Sequence, residues 1–332
     1  MLAAFAVLTG CQYLERLKED SPAASASATS APSATGSATT VAATSASAEP
    51  RAAVSAETKG APPADSSRLK LKGRAIQGGL MHAQIEKGAK KIKFPGHRVI
   101  IGEDGTFLVG FHRTAPKQEK LTVTFGDGQE LEHTFDVEQR TYEIDKIDGL
   151  PKHMVELDLQ TRKKLHEANN RIEAARKKFS NKACYNDGFV WPVHGKITSR
   201  YGQPRVMNGI DTGIHWGIDV AAIVGTPVKA PACGTVIFAE HNVPLSGHLL
   251  VLDHGHGLSS SFLHLHSFAV KVGAEVKQGD IIGRVGMTGR TNGAHLDWRM
   301  NLFEARIDPE LLVPPLEQPG QPPTAPAASA PK

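Results

Sequence analysis

The sequence is poor in aromatic residues and has no long apolar run, and both absences narrow the classes of protein it can represent. Aromatic residues make up 6% of the 332 residues, and no run is long enough for an internal membrane span. The net charge is only +4, and no sustained basic patch is interleaved with aromatic residues. The composition therefore does not indicate nucleic-acid binding, although a mildly positive chain suits a polyanionic surface such as cell wall or lipid headgroups.

Cysteine is also scarce, and the sequence around the first of the three cysteines differs from that around the other two. Cys11 ends a short apolar run with Leu8-Thr9-Gly10 before it, which resembles a bacterial lipobox whose cysteine is lipidated. A chance cysteine in an ordinary leader is the alternative, because no lysine or arginine precedes the apolar run. Cys184 and Cys233 either pair in an oxidising periplasm or remain two buried thiols, since the sequence does not set their separation.

Composition changes along the chain and predicts six segments. The Ala-, Ser-, Thr- and Pro-rich stretches cannot bury enough apolar surface to offset their ordering entropy, so we expect them to be disordered. The segments are a lipoprotein-type signal, shortened at its start, at 1–11, a tether at 12–67, a small β accessory domain at 68–150, a helical connector at 151–182, a larger β domain at 183–313 and a disordered tail at 314–332.

The accessory segment is predicted to be a small antiparallel β domain or sandwich. Its short alternating stretches are Lys90–Phe94, Val99–Ile101, Thr106–Val109, Leu121–Phe125 and Thr134–Val137. Asp104-Gly105 and Gly126-Asp127-Gly128 lie between them as hairpin signals. Its four histidines have no ligand-like grouping, and we expect them on the surface: His82, His97, His112 and His133.

A helical pattern follows from Val155 to Ser180, with Leu157, Leu165, Ile172 and Phe179 at roughly helical intervals among charged residues. We interpret this helix as a connector. Beyond it, glycine turns separate short strands without a helical period, which favours a two-sheet antiparallel core. Those strands are Val228–Ala230, Thr235–Ala239, Leu249–Asp253, Ser259–His264 and Ile281–Val285.

Three segments of the larger β domain hold candidate metal ligands. His215 and Asp219 share a face in an extended backbone, as do His295 and Asp297, because side chains alternate along a strand. His215, Asp219 and Asp297 could therefore bind zinc as three protein ligands and leave a fourth position for water. His264 and His295 would flank that water as proton-transfer groups. The alternative for each residue is an ordinary polar side chain on a sheet face.

A series of motifs between Arg200 and Val313 resembles the lysostaphin-type, or LytM-like, family of zinc metallopeptidases. Upstream, Ala75–Gly79 and Ile147–Pro151 are similar to an accessory β domain of some proteobacterial members. The motifs are Ser199–Gly202, His215–Asp219, Gly225–Val228, Gly234–Val236, Asp253–Leu258, Phe262–Leu265, Val272–Gly273, Gly279–Gly283, Thr288–Arg290 and Gly293–Leu296.

This resemblance implies cleavage of peptide bonds in peptidoglycan by water activated on one zinc ion per chain. By motif position, His215 and Asp219 would be zinc ligands, His264 the catalytic histidine, and His295 the first histidine of a His-Leu-His segment. With the lipobox-like start, it implies a periplasmic protein lipid-anchored to the outer membrane of a Gram-negative bacterium. Its implied partners are peptidoglycan, the membrane, and a cell-wall amidase or division proteins, with no nucleic acid.

The chain departs from this family at Asp297, which stands where a third ligand histidine is expected. A second carboxylate makes the zinc and its ligands formally neutral and the metal a weaker Lewis acid, although Arg299 could offset part of that charge. The site could then have a higher pH optimum, prefer another divalent metal or have lost the metal. Two hypotheses follow. One is a zinc endopeptidase. The other is a catalytically weak or inactive LytM-like domain that binds peptidoglycan or activates an amidase.

Overall fold

The computed structural model describes residues 68–316. Cys11, the predicted tether and residues 317–332 of the predicted tail lie outside the described residues. Within them the chain forms nineteen strands and two α-helices, which confirms the mainly β class. Neither helix is long and apolar enough to cross a membrane.

The N-terminal β region (residues 69–136) contains two three-stranded antiparallel sheets, in the orders β1-β2-β4 and β3-β5-β6. They enclose an apolar cluster that includes Phe107, Phe111, Leu121 and Val123. Fully buried residues alternate with partly buried ones along β5 and place one of its faces on this cluster. Strands β1 to β6 are Leu69–Lys72, Leu80–Ile85, Ala89–Lys93, Thr106–Gly110, Gln118–Phe125 and Glu130–Asp136.

Two sequence expectations for this region need correction. Val99–Ile101 is not a strand. Val99 and Ile101 instead pack on the apolar cluster from an irregular stretch, so their hydrophobicity reflects packing. The Asp104-Gly105 turn therefore leads into β4 without forming a hairpin, and β4 pairs with β2, whereas Gly126–Gly128 does join the β5–β6 hairpin.

The four histidines of the N-terminal β region are half-buried and not on the open surface. His97 stacks on Phe94 with ring centroids 4.4 Å apart, and His133 meets Phe135 edge to face at 4.6 Å. Aromatic packing holds these rings, which the sequence pattern does not reveal.

A short helix, α1 (Lys152–Val155), precedes the helix predicted from Val155 to Ser180, which is α2 (Leu159–Arg176) and is shorter at both ends than expected. The chain is extended at Asp158, whose carboxylate accepts a hydrogen bond from the Thr161 backbone N–H at 2.7 Å and caps α2. Ala168 and Ile172 of α2 pack on a neighbouring sheet. The helix therefore covers part of that sheet and does more than connect.

The C-terminal β region (residues 183–316) is built on a ten-stranded sheet, with the order β16-β13-β14-β15-β18-β11-β8 along its main path. Strand β17 joins β15 and β12, and β19 joins β18. The strands β7 (Asp145–Ile147), β9 and β10 form a separate small sheet. Strands β8 to β19 are Ile197–Ser199, Pro204–Met207, Ile210–Ile214, Ile218–Ala221, Pro227–Lys229, Gly234–Val243, Gly247–Gly255, Leu258–Phe268, Glu275–Val276, Ile281–Val285, His295–Leu302 and Ala305–Ile307.

A disulfide crosslinks the C-terminal β region, and a shared apolar cluster joins it to the N-terminal β region. Cys184 and Cys233 form a disulfide with their Cα atoms 5.1 Å apart, which resolves the two alternatives for these cysteines. Leu80 and Leu108 of the N-terminal β region join the apolar cluster of the C-terminal β region. Burial of apolar side chains from both regions in one cluster stabilises their contact.

Candidate metal site

Strand pairing brings the two candidate carboxylates together. Strands β11 and β18 are antiparallel, with Asp219 directly opposite Asp297 and Ala221 opposite His295. The intervening Val220 and Leu296 are fully buried in the core. The alternation inferred from the sequence therefore places Asp219, His295 and Asp297 on one face of the sheet.

The donor atoms of His215, Asp219 and Asp297 lie within 4.8 Å of one another, and all three residues are buried. His215 Nε2 is 3.2 Å from Asp219 Oδ1. Both ring nitrogens of His215 and the Asp219 Oδ1 atom are buried without a hydrogen-bond partner. Such groups are costly unless something satisfies them, so this donor set fits a divalent metal ion.

Gly217 permits the close approach of these groups. A Cβ atom at this position would lie 2.5 Å from Asp297 Oδ1 and 2.7 Å from the backbone oxygen of Trp298. Any side chain would therefore displace β18 or the Asp297 carboxylate. The glycine between His215 and Asp219 is a steric requirement of the site.

His264 and His295 lie beside the three donors, with ring centroids 4.8 Å apart. His264 Nδ1 is 2.7 Å from the Thr288 carbonyl oxygen, and His295 Nδ1 is 2.9 Å from the Gly293 carbonyl oxygen. Because a carbonyl only accepts hydrogen bonds, each Nδ1 is a donor, and each Nε2 in the neutral ring carries a lone pair. Burial lowers the pKa of His264 to about 4, so its ring is neutral at pH 7.

Comparison with known proteins assigns this part of the chain. Residues 213–309 match the model of Peptidase family M23. A crystal structure assigned to peptidase M23, from Pseudomonas aeruginosa, is 28% identical with a TM-score of 0.55, and covers 72% of this chain and 95% of its own. This part of the chain is a peptidase family M23 domain.

Two curated relatives match about a third of the chain. Cell division protein DipM of Caulobacter vibrioides is 33% identical over 132 residues, which are 38% of this chain and 21% of the relative. Peptidoglycan DD-endopeptidase ShyA of Vibrio cholerae is 35% identical over 114 residues, 33% of this chain and 26% of the relative. The chain thus spans about a quarter or less of the length of these relatives.

Two arginines bind the carboxylates of the candidate metal site, Asp219 and Asp297. Arg299 binds Asp297 through Nε, which lies 2.9 Å from Oδ1, and through Nη2, which contacts Oδ2. Arg205 Nη2 is 2.9 Å from Asp219 Oδ2, while its Nε is 3.0 Å from Asp145 Oδ2. Burial would raise the pKa of both site carboxyls. The charge of Arg299 lowers the pKa of Asp297, and His215, His295 and Arg205 lower that of Asp219, so the carboxylates are ionised at neutral pH.

Sequence reasoning noted Arg299 but missed Arg205 and Asp145. Arg205 precedes the His215 motif by ten residues on β9. Asp145 lies on β7, which pairs in parallel with β9, in the segment expected to belong to the accessory domain. No spacing signal in the sequence could have linked these two residues to Asp219.

Proposed function

We propose that this chain is a zinc-dependent endopeptidase that cleaves peptide bonds in peptidoglycan. The observation that carries the proposal is the convergence of His215, Asp219 and Asp297 next to His264 and His295. Both ring nitrogens of His215 and the Asp219 Oδ1 atom are buried there without hydrogen-bond partners. The match to Peptidase family M23 supports it, and so does the relative named as a peptidoglycan DD-endopeptidase. The same proposal places the chain in the periplasm, anchored through Cys11.

His215, Asp219 and Asp297 would hold the metal. Zinc bound there supplies Lewis acidity, which polarises a peptide carbonyl and makes water a better nucleophile at neutral pH. His264 and His295 would be placed to accept a proton from that water at Nε2 and to return it to the departing amine. Each ring is oriented by its Nδ1–H bond to a backbone carbonyl, at 2.7 Å for His264 and 2.9 Å for His295.

One observation favours a second candidate, a weakly active or inactive domain that binds peptidoglycan or activates an amidase. Arg299 and Arg205 already compensate the charges of Asp297 and Asp219. A metal ion would therefore add positive charge to a site that is close to neutral without it, which weakens metal binding. One relative is named as a cell division protein and not as a peptidase.

Metal content and hydrolysis by the full chain test the first proposal. We expect one zinc per chain by elemental analysis and release of peptides from cross-linked muropeptides. The His264→Ala variant should lose roughly 100- to 10,000-fold in kcat/KM, as is typical for a proton-transfer residue. His241→Ala, at an exposed histidine of β13, is the matched control and should keep full activity.

The Asp297→His variant separates the two candidates. If the native chain binds little zinc and cleaves nothing across pH, the endopeptidase proposal is wrong. A gain of zinc and of turnover in Asp297→His would then identify the Asp297–Arg299 pair as the cause, and amidase stimulation by the native chain would support the second candidate.

A further inference from the structure

A cavity of about 230 Å³ adjoins His215 and Asp297 and has an unusual charge. Its charged lining consists of four arginines and one aspartate: Arg205, Arg290, Arg299, Arg306 and Asp297. The arginines come from β9, from the loop after β17, from β18 and from β19. Tertiary structure therefore assembles this arginine pocket from positions that no single sequence motif contains.

The carboxylates nearby account for only part of this positive charge. Asp297 pairs with Arg299, and Asp219 and Asp145 pair with Arg205. Arg290 makes no ion pair with any residue between 68 and 316. Its side chain donates a long hydrogen bond of 3.3 Å to the neutral carbonyl of Met154. Half-buried guanidinium charge is costly without an anion, so Arg290 is poised for one.

The positive charges around the pocket lower the pKa of two of the arginines at or near it. Burial, followed by the positive charges of Arg205 and Arg299, lowers the pKa of Arg290. On the other side, burial together with the charges of Arg306 and Arg299 lowers the pKa of Arg176 to about 9. Arg176 also has a buried Nε atom without a hydrogen-bond partner. An anion in the pocket would relieve repulsion among these guanidinium groups.

Arg290 is also within reach of a substrate at the candidate metal site. With Arg205 and His264, it lines a second cavity of about 310 Å³, which Asp219 and His295 also border. Arg290 thus borders both cavities beside the metal ligands. A peptide bound in either cavity would therefore lie beside Arg290.

We propose that the arginine pocket binds a free carboxylate of the peptide substrate, with Arg290 as its main anchor. The site would then select peptides that carry a free carboxylate close to the scissile bond. A guanidinium group suits this ligand because its planar N–H donors match the two oxygens of a carboxylate. The proposal rests on the proposed peptidase function, since it makes the pocket part of the substrate site.

Two matched probes test the proposal with the full chain. One is a cross-linked stem-peptide dimer with free carboxylates, and the other is the same dimer with those carboxylates converted to carboxamides. Binding to metal-free protein is measured by titration calorimetry, and kcat/KM is measured with zinc. We expect the free-carboxylate dimer to be preferred roughly 10- to 100-fold in both measurements, as for hydrogen bonds to charged groups.

Variants assign the preference to the pocket. Arg290→Gln should reduce the preference to less than about threefold, and Arg290→Lys should retain part of it, because lysine keeps the charge but loses the planar fork. Arg284→Gln is the matched control, since Arg284 is exposed on β17 and donates to the Gly225 carbonyl. If Arg290→Gln does not fold, as judged by its thermal unfolding, Arg290→Lys decides the result by whether the preference falls.

The outcomes separate this proposal from the proposed function. Equal handling of the two dimers would overturn the carboxylate assignment even if both are cleaved, and so would a preference that persists in both Arg290 variants. Tighter binding of inorganic phosphate than of the free-carboxylate dimer would also overturn it. A binding preference that depends on Arg290, without any hydrolysis, would support the pocket while rejecting the peptidase.

Discussion

The N-terminal β region and the M23 domain are both built from antiparallel strands and both contain several histidines, yet only one assembles a candidate metal site. In the N-terminal β region, His97 and His133 lie against the rings of Phe94 and Phe135. His97 also has a buried Nδ1 without a hydrogen bond. Its Nε2 lies 3.6 Å from the Glu119 carboxylate, but the two residues do not form part of a group of three metal-binding donors among residues 68–316.

In the M23 domain, strand register adds the missing donors. Asp219 faces Asp297 across β11 and β18, and the chain before β11 brings His215 to the same point. Among residues 68–316, this is the one group of three such donors. A histidine in a β-rich region therefore indicates a metal site only when the register of neighbouring strands brings carboxylates to it.

Removal of a histidine from each region should give the largest contrast. Loss of a residue that hydrogen-bonds to a metal ligand lowers metal affinity roughly 10- to 100-fold. We expect His215→Ala to lower zinc affinity by more than this, because it removes a ligand itself. His97→Ala should leave zinc affinity unchanged. Competition titration with a chromophoric chelator measures both, and similar losses in the two variants would contradict the distinction between the regions.

The disulfide should stabilise the C-terminal β region, in which both of its cysteines lie. Replacing Cys184 and Cys233 with serine should lower the free energy of unfolding by about 4 kcal/mol, because the bond closes a loop of 49 residues. All three tryptophans lie between residues 191 and 298, so tryptophan fluorescence follows this part during denaturant unfolding. Reducing agent should destabilise the native chain and leave the double variant unchanged; an effect on both would refute the assignment.

The pH dependence of stability should differ between His264 and His133. Burial lowers the pKa of His264 from 6.5 to about 4, so between these values the folded chain binds fewer protons than the unfolded chain. Stability is therefore complete above pH 6.5 and falls by about 3 kcal/mol as the pH decreases to 4. In metal-free protein, His264→Gln should remove this loss.

His133→Gln is the comparison in the N-terminal β region. Burial lowers the pKa of His133 as well, but its half-buried ring keeps contact with solvent. This variant should therefore remove less of the pH dependence. Denaturant unfolding at several pH values measures both slopes, and a steeper change for His133→Gln would reverse the expected order.

The smallest effect should come from Asp145, which acts on the site through Arg205. Asp145→Asn should weaken zinc binding about tenfold, because Arg205 then holds Asp219 less firmly. Asp136→Asn, at an exposed carboxylate of β6 in the N-terminal β region, is the matched control. Equal zinc affinity in Asp145→Asn and the native chain would show that Arg205 is positioned without Asp145.

Much of the fold and the candidate site could be predicted from residue patterns. Alternation along β11 and β18 identified the shared face of Asp219, His295 and Asp297, since side-chain direction in a strand depends only on parity. Glycine turns and apolar runs indicated most strands of the M23 domain. The same reasoning was wrong for Val99–Ile101, where apolar residues pack on the core without pairing in a sheet.

The sequence by itself determined the mainly β class, the M23 motifs and the identity of the residues that meet at the candidate metal site. Only the tertiary structure decided that Asp145, Arg205, Arg290 and Arg306 surround those residues, and that Cys184 pairs with Cys233. The physical reason is the separation along the sequence over which each effect acts. Parity and turn chemistry act over a few residues, whereas ion pairs and disulfides depend on how distant strands pack against one another.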